Sequence, residues 1–384
     1  MRILQVHNSY RQSGGEDTVV ETEAYLLREA GHVVTQYLTK NPEKKLATGR
    51  SLAVAPWNPL TSVRLGKFAG SGFDVAHLHN TWFALSPSVI YALDRADVPV
   101  VMTAHNYRLA CINGQLTRNH QECTLCVGSS PLSGIRYSCY RDSVLGSMIA
   151  AATISVNRSL GTWDRFVSFF LAPTPYVADV LVKAGIEKDR VLLKPHMVPD
   201  PGHRTSPPSD SDLILFVGRL SPEKGIHMLL DAWKRLGRSP LRLGIIGDGP
   251  LRRELTQSRL PGLTFFGRLG PSEVRALMLT SRALVFPSVW PETFGLVVVE
   301  AMSCGLPVLA TDGLPITGLL KEDSGLICLA PLPDSWSAGL GAMTNNHLVD
   351  GHGAAARKAY LEKFSPSVGV PELEGIFAKA IGPV

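Results

Sequence analysis

Two carboxylates, Glu292 and Glu300, lie in a segment whose pattern predicts a strand, a loop and a helix in that order. Residues 283–286 form a short apolar run typical of a buried strand, and residues 293–295 occupy the junction between loop and helix. Free backbone N–H groups and the positive end of the helix dipole collect at such a junction. Open α/β sheets bind phosphorylated ligands there, so the segment predicts an anion site. Strand propensity in residues 296–299 and a solvated surface role for the glutamates are the alternatives.

Two cations, Arg219 and Lys224, flank a second strand-to-helix junction, after the predicted strand 213–217. Fixed cations at the end of a strand can hold a diphosphate and stabilise the charge that develops on it as it leaves. Taken singly, either residue has the simpler interpretation of a solvated surface charge. The pair therefore predicts an anion site only together with other motifs.

Two histidines stand near the ends of predicted strands in the first half of the chain. Residues 74–80 and 100–106 are apolar runs that carry His79 and His105. The carboxyl ends of parallel strands share one edge of a sheet, so we expect both rings at the same edge. A structural role is the alternative for each histidine taken alone.

A glycine pair, Gly14 and Gly15, follows the first predicted strand, residues 3–7. Glycines at a strand-to-helix junction allow the backbone to approach an anion closely, although a plain turn is the alternative. The next residues are Glu16 and Asp17. Their negative charges would repel an anionic ligand but suit hydroxyl groups, so we take them, with His79, as candidate residues for binding a hydroxyl-bearing acceptor substrate if other motifs indicate one.

Four of the six cysteines lie in one loop-rich insert, as Cys111, Cys123, Cys126 and Cys139. A C-x2-C pair with two outlying cysteines can close a tetrahedral thiolate site for a structural zinc ion. His120 could replace one of the thiols. Disulfides or a cluster of free thiols are the alternatives, and a reducing compartment favours zinc over disulfides.

Taken together, these motifs resemble those of the retaining GT-B glycosyltransferases of family 4. The spacing of Glu292 and Glu300 is similar to the E-x7-E signature, and residues 218–225 are similar to the G-R-x4-K-G loop. The Thr-Ala-His-Asn sequence around His105 resembles a position that contacts the donor sugar. The Gly-Gly-Glu-Asp sequence at residues 14–17 resembles one subgroup of the family.

The resemblance implies a role for each of these side chains. Glu300 would hold the ribose hydroxyls, Glu292 the hydroxyls of the donor sugar, and Arg219 with Lys224 the leaving diphosphate, while His105 would lie near the sugar. In the mechanism usual for this class, the acceptor hydroxyl attacks from the face of the leaving group, and the departing phosphate takes its proton. No metal ion or other cofactor is then needed for catalysis.

The same resemblance implies a nucleotide-sugar pocket built largely from backbone. The nucleobase would lie at the residues that follow the strand near 263–266, and phosphate or sugar would meet the start of the helix after Glu292. The glycine pair near the N-terminus would face the diphosphate across a cleft. The residues so implied are Gly14, Gly15, Gly218, Arg268, Leu269, Thr293, Phe294, Gly295 and Leu296.

The order of predicted elements indicates an α/β protein with two domains. The expected fold is GT-B, in which two doubly wound, Rossmann-like parallel sheets face a central cleft. Residues 1–199 would form the acceptor-side domain, completed by a C-terminal helix at 366–384, and residues 213–365 the nucleotide-sugar domain. The proline-rich residues 200–212 would be the linker.

Composition agrees with a globular enzyme. Of 384 residues, 45% are hydrophobic and 18% are charged, which excludes a disordered chain. No apolar run reaches the length of a membrane span, and the N-terminus does not resemble a signal peptide, so we expect a cytoplasmic protein. The apolar side of a predicted helix at 143–160 belongs to the core or rests on a membrane. No polybasic block indicates nucleic-acid binding, and the net charge of +5 is modest.

The expected activity is therefore that of a retaining glycosyltransferase of the hexosyltransferase type (EC 2.4). Its donor would be a nucleotide-diphosphate sugar, with UDP as the default because it is common in the family. Its acceptor would be a hydroxyl group of a glycan, a lipid-linked or a natural-product molecule. A nucleotide-sugar epimerase or phosphorylase on the same scaffold and a non-catalytic nucleotide-sugar-binding protein are the alternatives.

Overall fold

The chain folds into two compact units. The first comprises Met1–Arg118, Glu122–Met197 and Gly369–Val384, and the second comprises Asn119–Gln121 and Val198–Val368. The structure is a computed structural model that describes residues 1–10, 14–42, 45–119, 121–258, 260–320 and 324–382.

The first unit is built on a six-stranded parallel sheet in the order β2-β1-β3-β4-β7-β8, and β5 and β6 lie outside it. The strands are β1 (Arg2–Ser9), β2 (Val33–Lys40), β3 (Val75–Asn80), β4 (Val100–Thr103), β5 (Thr117–Arg118), β6 (Gln121–Glu122), β7 (Phe169–Ala172) and β8 (Val191–Leu193). Its helices are α1 (Gly15–Glu29), α2 (Lys45–Ala53), α3 (Pro59–Ala69), α4 (Ser88–Asp94), α5 (Leu132–Arg136), α6 (Val144–Ser159), α7 (Thr162–Phe166) and α8 (Pro175–Lys183).

The second unit has a six-stranded parallel sheet in the order β11-β10-β9-β12-β13-β14. The strands are β9 (Leu213–Val217), β10 (Arg242–Ile246), β11 (Leu263–Gly267), β12 (Ala283–Phe286), β13 (Val308–Thr311) and β14 (Leu326–Leu329). The helices are α9 (Ile226–Leu236), α10 (Arg252–Thr256), α11 (Pro271–Leu279), α12 (Leu296–Ser303), α13 (Pro333–Ala342) and α14 (Asn346–Lys363).

Helices cover both faces of the second sheet, and the side chains of β9 alternate between two cores. Leu215 packs in a cluster that contains Ala301 of α12, whereas Ile214 packs in one that contains Leu229 of α9 and Trp336 of α13. A strand buried on both faces has a continuous apolar sequence, which explains the Leu-Ile-Leu-Phe-Val run of β9.

Each sheet has a switch point, where the strand order reverses and the connections leave in opposite directions. In the second sheet this point lies between β9 and β12, and in the first between β1 and β3. Ligands of doubly wound sheets bind in the crevice at the carboxyl ends of the strands there. The loops that follow β9, β12, β1 and β3 are therefore the places to examine for a site.

Local features set the bounds of two strands of the first sheet. Strand β8 ends at Leu193, because Pro195 has no N–H with which to continue the ladder. Strand β7 begins only at Phe169, because α7 follows a left-handed glycine at 161 and runs to residue 166.

The last helix, α15 (Pro366–Ile381), begins where a C-terminal helix was expected, at residue 366. Proline is tolerated there because the first position of a helix does not need the N–H that proline lacks. Residues 296–299, for which a strand was the alternative, belong to helix α12.

From Gly369 onward α15 belongs to the first unit. Its Leu373, Ile376 and Phe377 are buried in one apolar cluster with Ile3 of β1 and Val75 of β3. The last helix in the chain thus covers one face of the first sheet.

Among the described residues, no helix combines the length and the apolar character that a membrane span requires.

We predict that Phe377→Ala destabilises the first unit by about 3–5 kcal/mol, the usual cost of removing a buried phenyl ring. Phe377 is fully buried, and its ring lies edge-on to His77. Denaturant unfolding of the full chain measures the change. Lys379→Ala, at an exposed position of the same helix, is the control and should change stability by less than about 0.5 kcal/mol. Equal effects of the two substitutions would show that α15 does not stabilise the unit.

Candidate functional site

In the second unit, the loops that follow β9 and β12 pack backbone against backbone at the switch point. The N–H of Val289 donates to the carbonyl of Glu223 at 3.0 Å. Gly225 has φ +68°, and a Cβ atom there would lie 1.8 Å from the carbonyl oxygen of Pro287. Only glycine permits this approach, which fixes the two loops against each other.

The packed loops bring Lys224 and Glu292 together, although 67 residues separate them in the chain. The Lys224 Nζ lies 2.7 Å from the Glu292 Oε1, and both side chains are largely buried. The hydroxyl of Ser288 donates to the same carboxylate oxygen at 2.6 Å. The ring of Trp290 lies beside the ammonium, with 5.7 Å between the Nζ and the ring centroid. Both charges are therefore held in fixed positions.

Arg219 lies in the same loop as Lys224 but is exposed. Within the part of the chain that the structure describes, its guanidinium donates no hydrogen bond and forms no ion pair. Its backbone is nevertheless anchored on both sides, since the N–H of Gly218 donates to the carbonyl of Ile246 and that of Leu220 to the carbonyl of Asp248. Arg219 is thus a cation on a fixed backbone, available to a ligand.

Helix α12 begins at this switch point. Gly295 caps it with φ +85°, Phe294 is buried beneath it, and Thr293 and Leu296 are partly exposed. The first N–H groups of a helix have no partners within it and can bind an anion. Glu300 lies in the same helix, and burial raises the pKa of its carboxyl group while the charge of Arg275 acts against that rise.

The two residues expected at the nucleobase follow β11. Arg268 is exposed, and Leu269 packs against the core cluster that contains Phe286 and Val298. The backbone of Gly267 accepts a hydrogen bond from Gly247 at 2.8 Å. The carboxyl ends of β11, β9 and β12 therefore all carry expected donor-site residues, on one sheet and in one unit.

In the first unit, the structure brings His79 and His105 into direct contact. The His79 Nδ1 lies 2.9 Å from the His105 Nε2, and the His105 ring stacks on that of His196 with 5.0 Å between centroids. All three are buried. Burial, and then the neighbouring histidines, hold the pKa of His79 and His105 well below the usual range. These imidazoles are therefore neutral.

The residues of the Gly-Gly-Glu-Asp sequence lie at the start of α1 with partners in the first unit. Asp17 caps the helix by accepting from the N–H of Gly14 at 2.9 Å and pairs with His7 Nε2 at 3.0 Å. Burial raises the pKa of Asp17, but the bonds to His7 and Gly14 outweigh it and lower the pKa overall. Glu16 accepts from Asn106 at 2.8 Å, and burial raises its pKa. Gly15 begins the helix.

Sequence reasoning missed several polar side chains of these two places. Ser288, which donates a hydrogen bond to Glu292, lies in a loop, where no sequence pattern distinguishes it from other serines. His77 stands two residues before His79 on β3, a spacing that places both rings on one face of the strand. That spacing could have indicated a cluster of buried polar side chains, which lie on β1, β3 and α1 and in the segments after β4 and β8. Its members are His7, Glu23, His77, His79, His105, Lys194 and His196.

The four cysteines of the insert line one small cavity, and all four are free thiols. Burial raises the pKa of Cys126 and of Cys139, and the neighbouring thiols add to the rise. In the described part of the chain, no three of the four Sγ atoms lie within 4.8 Å of one another, so the thiols do not form a closed tetrahedral set. His120, the alternative ligand, lies outside the described residues.

Comparison with known proteins finds relatives among the glycosyltransferases. Residues 203–358 match the family model described as Glycosyl transferases group 1. The phosphatidyl-myo-inositol mannosyltransferase of Mycolicibacterium smegmatis is 27% identical over 371 residues, which are 91% of this chain and 86% of that protein. The GDP-mannose-dependent alpha-mannosyltransferase of the same organism is 35% identical over 190 residues, 47% of this chain. That match spans 46% of the length of the relative.

Solved structures share the fold over nearly the whole chain. HepE from Anabaena, in complex with UDP, aligns with a TM-score of 0.70 and 17% identity, covering 98% of this chain and 99% of that one. The expected α/β architecture of two Rossmann-like parallel sheets is therefore confirmed as that of the GT-B glycosyltransferases.

We predict that acidification destabilises the first unit through His196. Burial, and then the charge of Lys194, lower the pKa of His196 to about 3. The folded state therefore stays neutral where the unfolded chain takes up a proton, below a pH of about 6.5. The stabilising contribution is present above that pH and is lost as the pH falls toward about 3, by up to about 1.4 kcal/mol per pH unit.

The measurement is the free energy of unfolding of the wild type and of His196→Gln between about pH 5 and pH 7. The free energy of unfolding of the variant should rise less steeply with pH, by the slope that corresponds to one proton taken up on unfolding. His227→Gln, at an exposed histidine of the second unit, is the control and should keep the wild-type slope. An unchanged slope in His196→Gln would mean that His196 is protonated in the folded protein.

Proposed function

We propose that this glycosyltransferase moves a sugar from a nucleoside diphosphate to a hydroxyl group, with retention of the anomeric configuration. The observation that carries the proposal is the arrangement of charge at the switch point of the second sheet. There Lys224 pairs at 2.7 Å with Glu292, in the loop that leads into α12, and Arg219 lies in the same loop as Lys224. Cations and a helix start bind a diphosphate, and a carboxylate binds the hydroxyls of a sugar.

Arg219 and Lys224 hold the diphosphate in this proposal. The bond between the sugar and the phosphate oxygen breaks, and the leaving nucleoside diphosphate gains negative charge. Lys224, whose ammonium is already held, and Arg219, whose backbone is anchored, stabilise that charge. Arg219 has no partner to give up among the described residues, whereas Lys224 already lies against Glu292 and Trp290.

Glu292 and Glu300 bind hydroxyl groups of the donor. Glu292 accepts from the sugar, with Lys224 and Ser288 holding one carboxylate oxygen and the other left to the ligand. Glu300, one turn into α12, accepts from the ribose. The remaining residues proposed to meet the donor in the second unit contribute chiefly backbone: Gly218, Arg268, Leu269, Thr293, Phe294, Gly295 and Leu296. For Gly14 and Gly15, in the first unit, a role at the diphosphate stays a prediction from the family resemblance.

No side-chain base is required for the transfer. The acceptor oxygen forms its bond to the anomeric carbon on the face that the phosphate leaves, and the proton of the acceptor hydroxyl passes to the departing phosphate oxygen. His105 lies near the donor sugar in this proposal. Because its imidazole is buried and neutral, it serves as a hydrogen-bonding group rather than as a cation. No metal ion or other cofactor takes part in the step.

The donor is proposed to be a UDP-linked sugar, with GDP-mannose as the second candidate. HepE, which shares the fold, binds UDP, and one relative is named for GDP-mannose. The acceptor is a hydroxyl group of a glycan, a lipid-linked or a natural-product molecule. Glu16, Asp17 and His79 remain candidate acceptor residues, although each already has a partner in the first unit.

A lipid-linked acceptor would agree with an exposed apolar side of α6. This helix buries Ala150 and Ile154, but Leu145 is 67% exposed and Met148 is 50% exposed. We therefore include peripheral contact with a membrane in the proposal. The transfer activity should therefore be compared between a lipid-linked acceptor in vesicles and a soluble glycan acceptor.

We predict that one class of nucleoside diphosphate raises the melting temperature of the wild type and that Arg219→Ala abolishes most of this shift. Ligand binding stabilises the folded state in proportion to the logarithm of ligand concentration over Kd. Loss of a charge-assisted hydrogen bond costs about 1.5–3 kcal/mol, so the affinity should fall by about tenfold to a hundredfold. A thermal-shift panel of UDP, GDP and ADP with and without sugars makes the measurement.

Arg238→Ala, at an exposed arginine elsewhere in the second unit, is the matched control and should keep the full shift. No shift with any nucleotide, or equal shifts in both variants, would contradict the donor site.

Turnover of the bound donor then separates the alternatives. Product with the donor's anomeric configuration supports the proposal, an inverted product refutes retention, donor conversion without acceptor indicates an epimerase, and phosphorolysis indicates a phosphorylase. Binding without any turnover indicates a non-catalytic protein.

The zinc site expected in the cysteine insert also remains a proposal. Free thiols around one cavity favour it, and the spacing of the Sγ atoms requires the insert to contract around the ion. Four thiolates leave no open position, so the ion would be structural.

We predict that protein purified with zinc present retains about one equivalent at the insert, following the usual tetrathiolate stoichiometry. Cys123→Ser with Cys126→Ser should lose this equivalent and lower the stability of the first unit. Zinc analysis and thermal unfolding measure both effects. Cys328→Ser, at an exposed cysteine of the second unit, is the control. A zinc content in the double variant equal to that of the wild type would refute a thiolate site.

A further inference from the structure

Three buried side chains of the first unit direct one atom each toward a common point. The Glu23 Oε2 lies 3.5 Å from the His77 Nδ1 and 3.7 Å from the His79 Nε2. All three atoms lie within 4.8 Å of one another. Glu23 is 3% exposed, His77 is not exposed, and His79 is 2% exposed. Among the described residues, no other group of three such ligands is this close.

None of these three atoms has a hydrogen-bond partner among the described residues. Separations of 3.5 and 3.7 Å are too long for good hydrogen bonds between them. A buried polar atom left unpaired costs about 1–3 kcal/mol, so three at one point indicate a missing group. The three candidate ligand atoms are thus in place, but none of them has a hydrogen-bond partner among the described residues.

The far side of each imidazole is already held. The His77 Nε2 lies 2.7 Å from the hydroxyl of Thr103, and the His79 Nδ1 lies 2.9 Å from the His105 Nε2. Metal-binding histidines characteristically use their second nitrogen in this way, which fixes the ring and its tautomer. The two contacts leave the His77 Nδ1 and the His79 Nε2 free for one shared ligand.

We propose that Glu23, His77 and His79 bind a divalent transition-metal ion, with zinc as the first candidate. In a tetrahedral zinc site with bonds of about 2.0–2.2 Å, neighbouring ligand atoms lie about 3.3–3.6 Å apart. The two separations from Glu23, 3.5 and 3.7 Å, come close to this range. Two imidazoles and one carboxylate are a ligand set that zinc uses with water in the fourth position.

The nearest competing charge is the ammonium of Lys194. It donates to the carbonyl of Pro195 at 2.9 Å and lies 3.8 Å from Glu372, which supplies its negative partner. Within the described part of the chain, it forms no ion pair with Glu23. Because Lys194 is paired on the side of α15, the carboxylate of Glu23 remains available to a cation.

A metal ion here would join α1 to β3 and, through His79, would fix the ring of His105. The site differs in ligand chemistry from the cysteine insert, because it uses nitrogen and oxygen rather than sulfur. It does not depend on the identity of the donor or of the acceptor. Its role would be structural, with a positioning effect on His105.

The test uses the full chain with Cys123→Ser and Cys126→Ser, which removes thiolate binding. This protein is stripped with a chelator and titrated with Zn²⁺ by calorimetry. We expect one equivalent to bind and the melting temperature to rise. Glu23→Gln keeps the shape of the side chain but not its charge, and should weaken binding by at least a hundredfold. Thr103→Val, which removes the support of His77, should weaken it by about tenfold to a hundredfold.

His227→Gln is the control, because His227 lies 2.9 Å from Glu254 in an exposed pair and should not affect zinc binding. Circular dichroism confirms that each variant is folded, and Thr103→Val remains informative if Glu23→Gln does not fold. Anomalous diffraction at the zinc edge should place the ion between Glu23, His77 and His79. The proposal is overturned if the double-cysteine protein binds no zinc, if Glu23→Gln and Thr103→Val bind it as tightly, or if the density holds only water linked to Lys194.

Discussion

The contact between the two loops at the switch point of the second sheet is the constraint on which the donor site depends. Gly225 lies against the carbonyl of Pro287 so closely that a single added carbon would meet it at 1.8 Å. This contact sets the distance between the loop that follows β9 and the loop that follows β12. Lys224 and Glu292 can pair only because of it. The ion pair is therefore a consequence of backbone packing, and its two charges need no ligand to hold them in place.

The two units use polar groups in opposite ways. In the second unit, two cations follow the end of a strand, and Arg219 is exposed there and accessible to a ligand. In the first unit, histidines are buried side by side, and burial keeps His79 and His105 neutral. A transfer reaction needs positive charge where the leaving group develops negative charge and neutral hydrogen-bonding groups elsewhere. The division agrees with the proposed roles, because charge in the buried cluster would cost folding energy without stabilising the leaving group.

The sequence predicts an element correctly where a single physical requirement decides which residues form it. The bounds of β9 and β12 agree with the expected strands because both faces of the sheet are covered and the runs are wholly apolar. Lys224 and Glu292 were identified by motif, but their contact depends on backbone packing between distant segments, which no local pattern shows. Glu16 and Asp17 were expected to contact an acceptor. Their partners in the structure are Asn106, in the segment after β4, and His7, on β1.

The buried cluster of the first unit shows most clearly what a pattern cannot supply. Glu23 lies in a helix, where a carboxylate is expected to face water, and it is 3% exposed. Ala24 and Leu27 of α1 are buried in one apolar cluster with Ile3 of β1, and the same packing leaves the carboxylate of Glu23 3.5 Å from His77. Folding therefore forces an acid and an imidazole together without a hydrogen bond between them. Such a contact persists only if another group offsets its cost, and a bound cation satisfies the carboxylate and both imidazoles at once.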